Sequence, residues 1–371
     1  MTTAPAIPFM HLTPGADAGA IRDAIDRVIA RGWFILGPEL AAFEAEFASA
    51  SGAAHAVGVG TGTDAIALAL RALGIGPGDE VITAPLSAAY SALAIMMAGA
   101  TPVFADIDLD RLTLDPSQVD AAVTPRTVAI LPVHLYGQPA DMTTIQAIAT
   151  RHNLVIVEDA CQAHLAMSEG RPVGTIGAAG AFSFYPTKNL GALGDAGAII
   201  TNDAALAEKL KRLRNGGQTD RYHHVEFGVN TRLDDMQAAI LRARLPLLPG
   251  WTTRRREIAG RYRAALAGAP VIVPPERDPG HVYHLFPVRS ARRAQAQAHL
   301  RRLGIETLIH YPVPIPRQPA LAGAPAAVCP NADQVCGDVF SLPLHPALTD
   351  AEVDRVADAV HRFSAADADG R

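Results

Sequence analysis

Asn153-Leu-Val-Ile-Val-Glu-Asp-Ala160 is a short apolar run that closes on two acidic residues. Its length and β-branched content read as a strand buried on both faces, the kind that parallel sheets use. Folds of this class gather ligand-binding groups at the carboxyl ends of such strands. Asp159 therefore stands where a site is expected, with a helix cap as the competing reading of the same residue.

Working outward, similar runs occupy residues 80–84, 101–107, 127–133 and 197–201, and the first three are separated from one another and from residues 154–158 by helical patterns. That alternation is the βαβ rhythm of a mostly parallel sheet covered by helices on both sides. Residues 81–105 carry no charge, but Pro85, Gly99 and Pro102 break the stretch into strand, helix and strand, so a buried unit is expected rather than a membrane span. Further helices are expected at residues 15–30, 39–49, 204–214 and 233–247. Between the first two, Trp33-Phe34 suits either a core or a pocket lining.

Downstream of Asp159 lies Ala181-Phe-Ser-Phe-Tyr-Pro-Thr-Lys-Asn-Leu-Gly-Ala-Leu-Gly-Asp-Ala-Gly197. A phosphate-binding P-loop would need G-x-x-x-x-G-K-[ST], and the residues before Lys188 do not supply it. A Schiff-base lysine needs an apolar pocket to lower its pKa and a partner for the cofactor ring. Aromatic neighbours give the first, and Asp159 gives the second by pairing with a pyridinium nitrogen. Upstream, residues 55–74 read as a strand, a glycine turn and a helix closed by Gly74. Gly62 and Thr63 fall at the helix start, where free N–H groups and the positive dipole end favour a phosphate. A plain strand-to-helix turn is the competing reading, and the dinucleotide pattern G-x-G-x-x-G fails because position 63 is threonine.

The chain has 371 residues, 49% of them hydrophobic, and a net charge of −5. It is long enough for two domains, and its charge gives no electrostatic case for nucleic acid or an anionic membrane. The three cysteines form no C-x-x-C pair and the histidines no H-E-x-x-H, so neither a disulfide framework nor a metal site is expected, and a reducing cytoplasm fits. The first fourteen residues lack a basic region followed by an apolar core, so no signal peptide is expected.

A large domain is expected over residues 1–248 and a smaller one over 249–371, divided near Leu245-Pro-Leu-Leu-Pro-Gly-Trp251. Residues 215–232 form a Gly-, His- and Asn-containing loop long enough to be functional. The second domain opens on a helix with Arg254, Arg255 and Arg256, read as a solvated face in preference to an anion site. Residues 311–330 hold six prolines and are expected to be irregular.

Several motifs in one order carry a family resemblance from about Gly32 to Val356. They are Gly32-Trp-Phe-Ile-Leu-Gly-Pro-Glu39, Pro132-Val-His-Leu-Tyr-Gly-Gln138, Glu158-Asp-Ala-Cys-Gln-Ala-His164, Phe182-Ser-Phe-Tyr-Pro-Thr-Lys-Asn189, Asn230-Thr-Arg-Leu-Asp234 and His310-Tyr-Pro312. The chain resembles the DegT/DnrJ/EryC1/StrS sugar aminotransferases, fold-type I enzymes that use pyridoxal 5′-phosphate (PLP). The resemblance implies a large α/β domain with a mostly parallel sheet, a smaller C-terminal α+β domain and a cytoplasmic homodimer with shared active sites.

It also implies roles. Lys188 would form the Schiff base and move the proton of transamination. Asp159 would hold the pyridinium N–H, and Gln162 the ring's phenolic oxygen. Gly62, Thr63 and Ser183 would bind the phosphate, and Asn230 would reach the phosphate of the neighbouring subunit. His164, Tyr185, Arg232, His310 and Tyr311 match positions near the sugar or nucleotide. Where relatives place an aromatic over the cofactor ring this chain has Ala88, so either Tyr90 swings in or the stacking is weaker.

Glutamate is the implied amino donor, pyridoxamine phosphate the intermediate form of the cofactor, and the run around Lys188 resembles enzymes that aminate C3 of dTDP-3-keto-6-deoxyhexoses. Amination at C4 of a nucleotide-4-keto-sugar is the alternative within the family. The dehydratase branch carries histidine in place of Lys188 and is disfavoured. A non-catalytic regulatory protein of the same fold is the alternative from another class, and a Schiff-base lysine argues against it.

Overall fold

Seven strands build the central sheet of the computed structural model, which describes residues 5–363. In chain order they are β1 (His55–Val59), β2 (Glu80–Thr83), β3 (Thr101–Phe104), β4 (Thr127–Leu131), β5 (Val155–Asp159), β6 (Ala179–Ser183) and β7 (Gly197–Thr201). They lie in the order β1-β7-β6-β5-β4-β2-β3, and within this sheet β7 alone runs antiparallel to its neighbours. The reversal has a local cause. A parallel return needs a crossover, usually helical, and the segment between Ser183 and Gly197 contains no helix.

The pleat explains why these strands are apolar throughout. Val81, Ala129 and Val157 point to one side, where they pack on Ile66, Leu68 and Leu70 of the helix Gly62–Ala72. Ile82, Ile130 and Ile156 point to the other, against Ile145 and Ile148 of the helix Met142–His152. Successive residues thus meet different helical layers, and neither face can be polar. The charge-free stretch becomes β2, the helix Tyr90–Met97 and β3. No helix among the described residues is long and apolar enough to cross a membrane.

The segment around Gly37 is fixed from a distance. Asp235, fully buried at the start of the helix Asp235–Arg244, accepts from the N–H groups of Gly37 (2.7 Å) and Glu39 (3.0 Å), and so caps the helix Pro38–Ala50. A Cβ on Gly37 would stand 2.5 Å from that carboxylate, which requires glycine there. Trp33 and Phe34 are 57% and 49% exposed, so the core reading of this pair is corrected. The cap ties down the backbone beside them and leaves their rings outside.

Beyond residue 248, β8 (Phe286–Arg289) and β9 (Val339–Leu342) pair antiparallel among the helices Leu248–Ala265, Arg293–Arg302 and Asp350–His361. Tyr262, Phe286, Phe340 and Val356 fill this second core, which Ile7 joins through a bridge to Ile305. The helix Pro330–Asp338 packs the other way. Asp106 caps it through the N–H groups of Asn331 and Ala332, and Val335 and Cys336 enter the first core. We propose units 1–248 and 249–371 on this basis, each lending a segment to the other. The proline-rich residues 311–330 contain the short turns Ile315–Arg317 and Pro319–Leu321, and are otherwise irregular.

Candidate active site

Asp159 ends β5 at the carboxyl edge of the sheet and is 5% exposed. Ser91 Oγ donates to its Oδ2 at 2.7 Å, and the Cys161 N–H to its Oδ1 at 3.2 Å. Two bonds do not exhaust a carboxylate, which has about four acceptor sites. Gln162, also 5% exposed, has its amide fixed: Oε1 accepts from the Tyr136 N–H at 2.7 Å, and Nε2 donates to the Tyr311 hydroxyl at 3.1 Å. Burial pushes the Tyr311 phenol up to about 12, so it stays protonated.

The lysine sits on a closed turn after β6. The Lys188 N–H donates to the Tyr185 carbonyl, and Ala192 N–H to that of Phe184, both at 2.8 Å. Asn189 Nδ2 pins the turn to the Val282 carbonyl at 3.0 Å. A Cβ on Gly191 would lie 2.5 Å from the Pro186 carbonyl oxygen, so the turn closes over a glycine. Burial lowers the Lys188 pKa, and the neighbouring Cys161 and Asp159 oppose that shift. The Cys161 thiol is raised well above its ordinary value by burial and by Asp159, which keeps it neutral beside the lysine.

The glycine turn meets this edge directly. Gly197 lies in register with both Val59 and Ser183, and a Cβ on it would stand 2.4 Å from the Thr61 backbone. Thr61 caps the helix Gly62–Ala72 by accepting from the Asp64 N–H at 3.0 Å. Gly62 and Thr63 follow in the first turn, whose N–H groups have no intrahelical acceptor. A Cβ on Gly62 would lie 2.7 Å from both Cys161 Sγ and Ser183 Cβ, so any other residue would fill the concavity between helix start and strand end.

The remaining expected residues divide by position. His310 lies near the site: its carbonyl accepts from the Tyr136 hydroxyl, its Nδ1 meets Ser341 Oγ at 3.0 Å, and burial with the Lys188 charge lowers its pKa to about 4. Tyr185 is half exposed beside the lysine. His164 has no exposed surface. It sits between the rings of Phe182 and Phe184 with Nε2 on the Ser183 carbonyl at 2.9 Å. The expectation that it meets the sugar is corrected here: the apolar cluster under β6 encloses the ring, which supports the strand carrying Ser183.

Asn230 is exposed, and Arg232 reaches Asn215 Oδ1 at 3.2 Å in a separate cavity bordered by Trp33. The loop before them folds into a ribbon of Gln218–Asp220 and His223–His224, with Tyr222 and Phe227 exposed. Sequence reasoning missed Ser91, whose partner Asp159 is 68 residues away. Tyr90, next to it, is 63% exposed at the start of its helix.

The comparison with known proteins agrees along the whole length. The model of the DegT/DnrJ/EryC1/StrS aminotransferase family matches residues 16–361. A dTDP-3-amino-3,4,6-trideoxy-alpha-D-glucose transaminase of Streptomyces venezuelae is 49% identical over 368 residues, 97% of each chain. The erythromycin biosynthesis sensory transduction protein EryC1 of Saccharopolyspora erythraea is 48% identical over 358 residues, 94% of this chain and 97% of that one. A crystal structure of S. venezuelae DesV in complex with a ketimine intermediate matches with a TM-score of 0.93 at 49% identity, over 97% of this chain and 99% of that one. With its fold and sequence matched over nearly all its length, the chain belongs to the DegT/DnrJ/EryC1/StrS aminotransferase family.

Proposed function

We propose that the protein is a PLP-dependent aminotransferase that converts a dTDP-3-keto-6-deoxyhexose to the amino sugar with L-glutamate as donor. The observation that carries this reading is the meeting of Lys188, Asp159, Gln162 and the Gly62–Ser183 concavity at one edge of the sheet. The cradle fits the cofactor: a helix start for its phosphate, an under-bonded buried carboxylate for its ring nitrogen, and an amide N–H for its phenolic oxygen. When bound, PLP supplies the electron sink that lets an amino group be exchanged for a carbonyl.

The chain's own residues then have defined tasks. Lys188 would anchor the cofactor, and its Nζ, whose pKa burial lowers, would take and return the substrate proton. Asp159 would pair with the ring nitrogen, oriented by Ser91. Gln162 can donate outward because the Tyr136 N–H occupies its carbonyl oxygen. Tyr185, His310 and Tyr311 border the space left for the sugar.

The same proposal includes a homodimer. Arg232 lines a cavity with exposed Trp33 that does not include Lys188, and Asn230 two residues before it is exposed, as residues serving a neighbouring subunit would be. A cytoplasmic location fits three free cysteines. The C3 assignment follows the named activity of the S. venezuelae relative. A regulatory role without catalysis would leave the Lys188 and Asp159 pair without a task.

Incubation with 15N-glutamate and dTDP-3-keto-6-deoxyglucose, followed by mass spectrometry, tests the reading. Label is expected in the dTDP-sugar. Label appearing only with a 4-keto sugar would move the assignment to C4, and label in neither would contradict the substrate class.

A further inference from the structure

The arginine-bearing helix presents the solvated face expected from its sequence only in part. Arg254 pairs with Asp350 at 2.7 Å, and Arg256 donates to the His281 carbonyl at 2.9 Å, but Arg255 turns inward and is 4% exposed. Its Nη1 donates to the carbonyl oxygens of Tyr283, His284 and Leu344, while its Nε has no hydrogen-bond partner. His345 is 5% exposed, and neither ring nitrogen makes a hydrogen bond, although the Pro8 carbonyl lies nearby.

Both residues line a cavity of about 410 Å³ bordered by Trp251 and by the turn that carries Lys188. Asp159, Gln162, Gly62 and Ser183 are not part of its wall. The cavity falls within the size range of small-molecule sites, about 300–1,000 Å³. Its one acidic lining residue, Asp17, is engaged by Arg244 at 2.8 Å. Arg255 is thus a cation on its wall with no ion-pair partner among the described residues. A buried cation of this kind is stabilised when an anion joins it, and a guanidinium beside an imidazole N–H matches a carboxylate.

We propose that this cavity seats a carboxylate of the small dicarboxylic amino donor and of its keto-acid product, with Arg255 and His345 as the groups that hold it. The choice of ligand rests on the aminotransferase reading; the anion-binding cavity itself does not. A dicarboxylate held here has one end against Arg255 and the other toward the Lys188 turn.

The probe is glutarate, which has no amino or keto group to react. The cofactor-loaded protein carrying Trp33→Phe keeps Trp251 as its single tryptophan, and Trp251 fluorescence reports the cavity. Glutarate is expected to change that fluorescence saturably, with calorimetry giving the same affinity. Arg255→Lys and His345→Gln should each weaken binding roughly ten- to a hundredfold, the size of a lost hydrogen bond to a charged group. If Arg255→Lys fails to fold, His345→Gln carries the test.

No saturable response, an unchanged affinity in the folded variants, or an equal response to inorganic phosphate and chloride would overturn the proposal. Transfer of 15N from glutamate is measured on the same preparation. Intact transfer without glutarate binding at Trp251 overturns this inference and leaves the aminotransferase reading standing. Glutarate binding without transfer overturns the aminotransferase reading and leaves only the carboxylate-binding cavity standing.

Discussion

Glu158 and Asp159 are consecutive on β5, and the pleat sends their carboxylates to opposite sides of the sheet. Glu158 faces the scaffold. It is fully buried and accepts from the N–H groups of Gly174, Ile176 and Gly177, each at 2.7 Å, and meets His134 Nε2 at 3.1 Å. Asp159 faces the candidate site with a serine hydroxyl and one backbone N–H. Equal burial therefore does not mean equal function. A carboxylate with every acceptor site filled holds a loop, whereas one with sites to spare is ready for a ligand.

The largest effect expected on the site side comes from Lys188→Ala. Turnover should fall by at least the about 10²- to 10⁴-fold associated with a lost general acid–base group, while PLP remains bound and detectable by equilibrium dialysis. Ordinary turnover by this variant would remove the reason for Asp159's open valence.

Asp159→Asn and Glu158→Gln then test the comparison itself. The first should lower kcat/KM by roughly a hundredfold or more, through loss of the charge opposite the cofactor ring, with little change in the urea midpoint. The second should cost about 1–3 kcal/mol of stability through weakened and unmatched buried hydrogen bonds, with activity per folded molecule retained. An exchange of these outcomes would break the distinction.

Acid should loosen the fold at two buried histidines, and the sign follows from burial. His164 under β6 and the buried His281, stacked on Tyr283, are both lowered to about 3, chiefly by desolvation, against an ordinary value of 6.5. Below pH 6.5 the unfolded chain takes up protons that these rings refuse in the fold, so stability is full above that pH and falls as it drops toward 3. Each ring accounts for about 2 kcal/mol at pH 5. Urea midpoints at pH 7.5, 6 and 5 check this, and a flat series would contradict it.

Ser91→Ala should have the smallest effect. It removes one hydrogen bond to the Asp159 carboxylate, so kcat/KM should fall by roughly tenfold, about 1.4 kcal/mol, with the fold intact. A variant equal to the wild type would show that Asp159 needs no orienting partner.

What was legible in the sequence is what neighbouring residues determine. Six of the seven sheet strands, the Gly62 helix start, Asp159 at a strand end and Lys188 in its aromatic turn all rest on local patterns. β6 escaped notice because its Ala-Gly-Ala start lacks the β-branched signature of its neighbours. Other features are set by contacts distant in the chain. Ser91 beside Asp159, Asp235 on the Gly37 N–H, and Arg255 with His345 on one cavity come together only through the tertiary fold. His164 shows the reverse error: a motif placed it correctly in sequence, but two phenylalanine rings decided what it could touch.

The central claim is that Lys188 and Asp159 together hold a cofactor that exchanges amino groups. Visible absorbance of the purified protein loaded with PLP, followed through addition of glutamate and then dTDP-3-keto-6-deoxyglucose, tests it most directly. A visible band that glutamate bleaches and the keto sugar restores is expected. No band with PLP present, or a band that glutamate leaves unchanged, would contradict it.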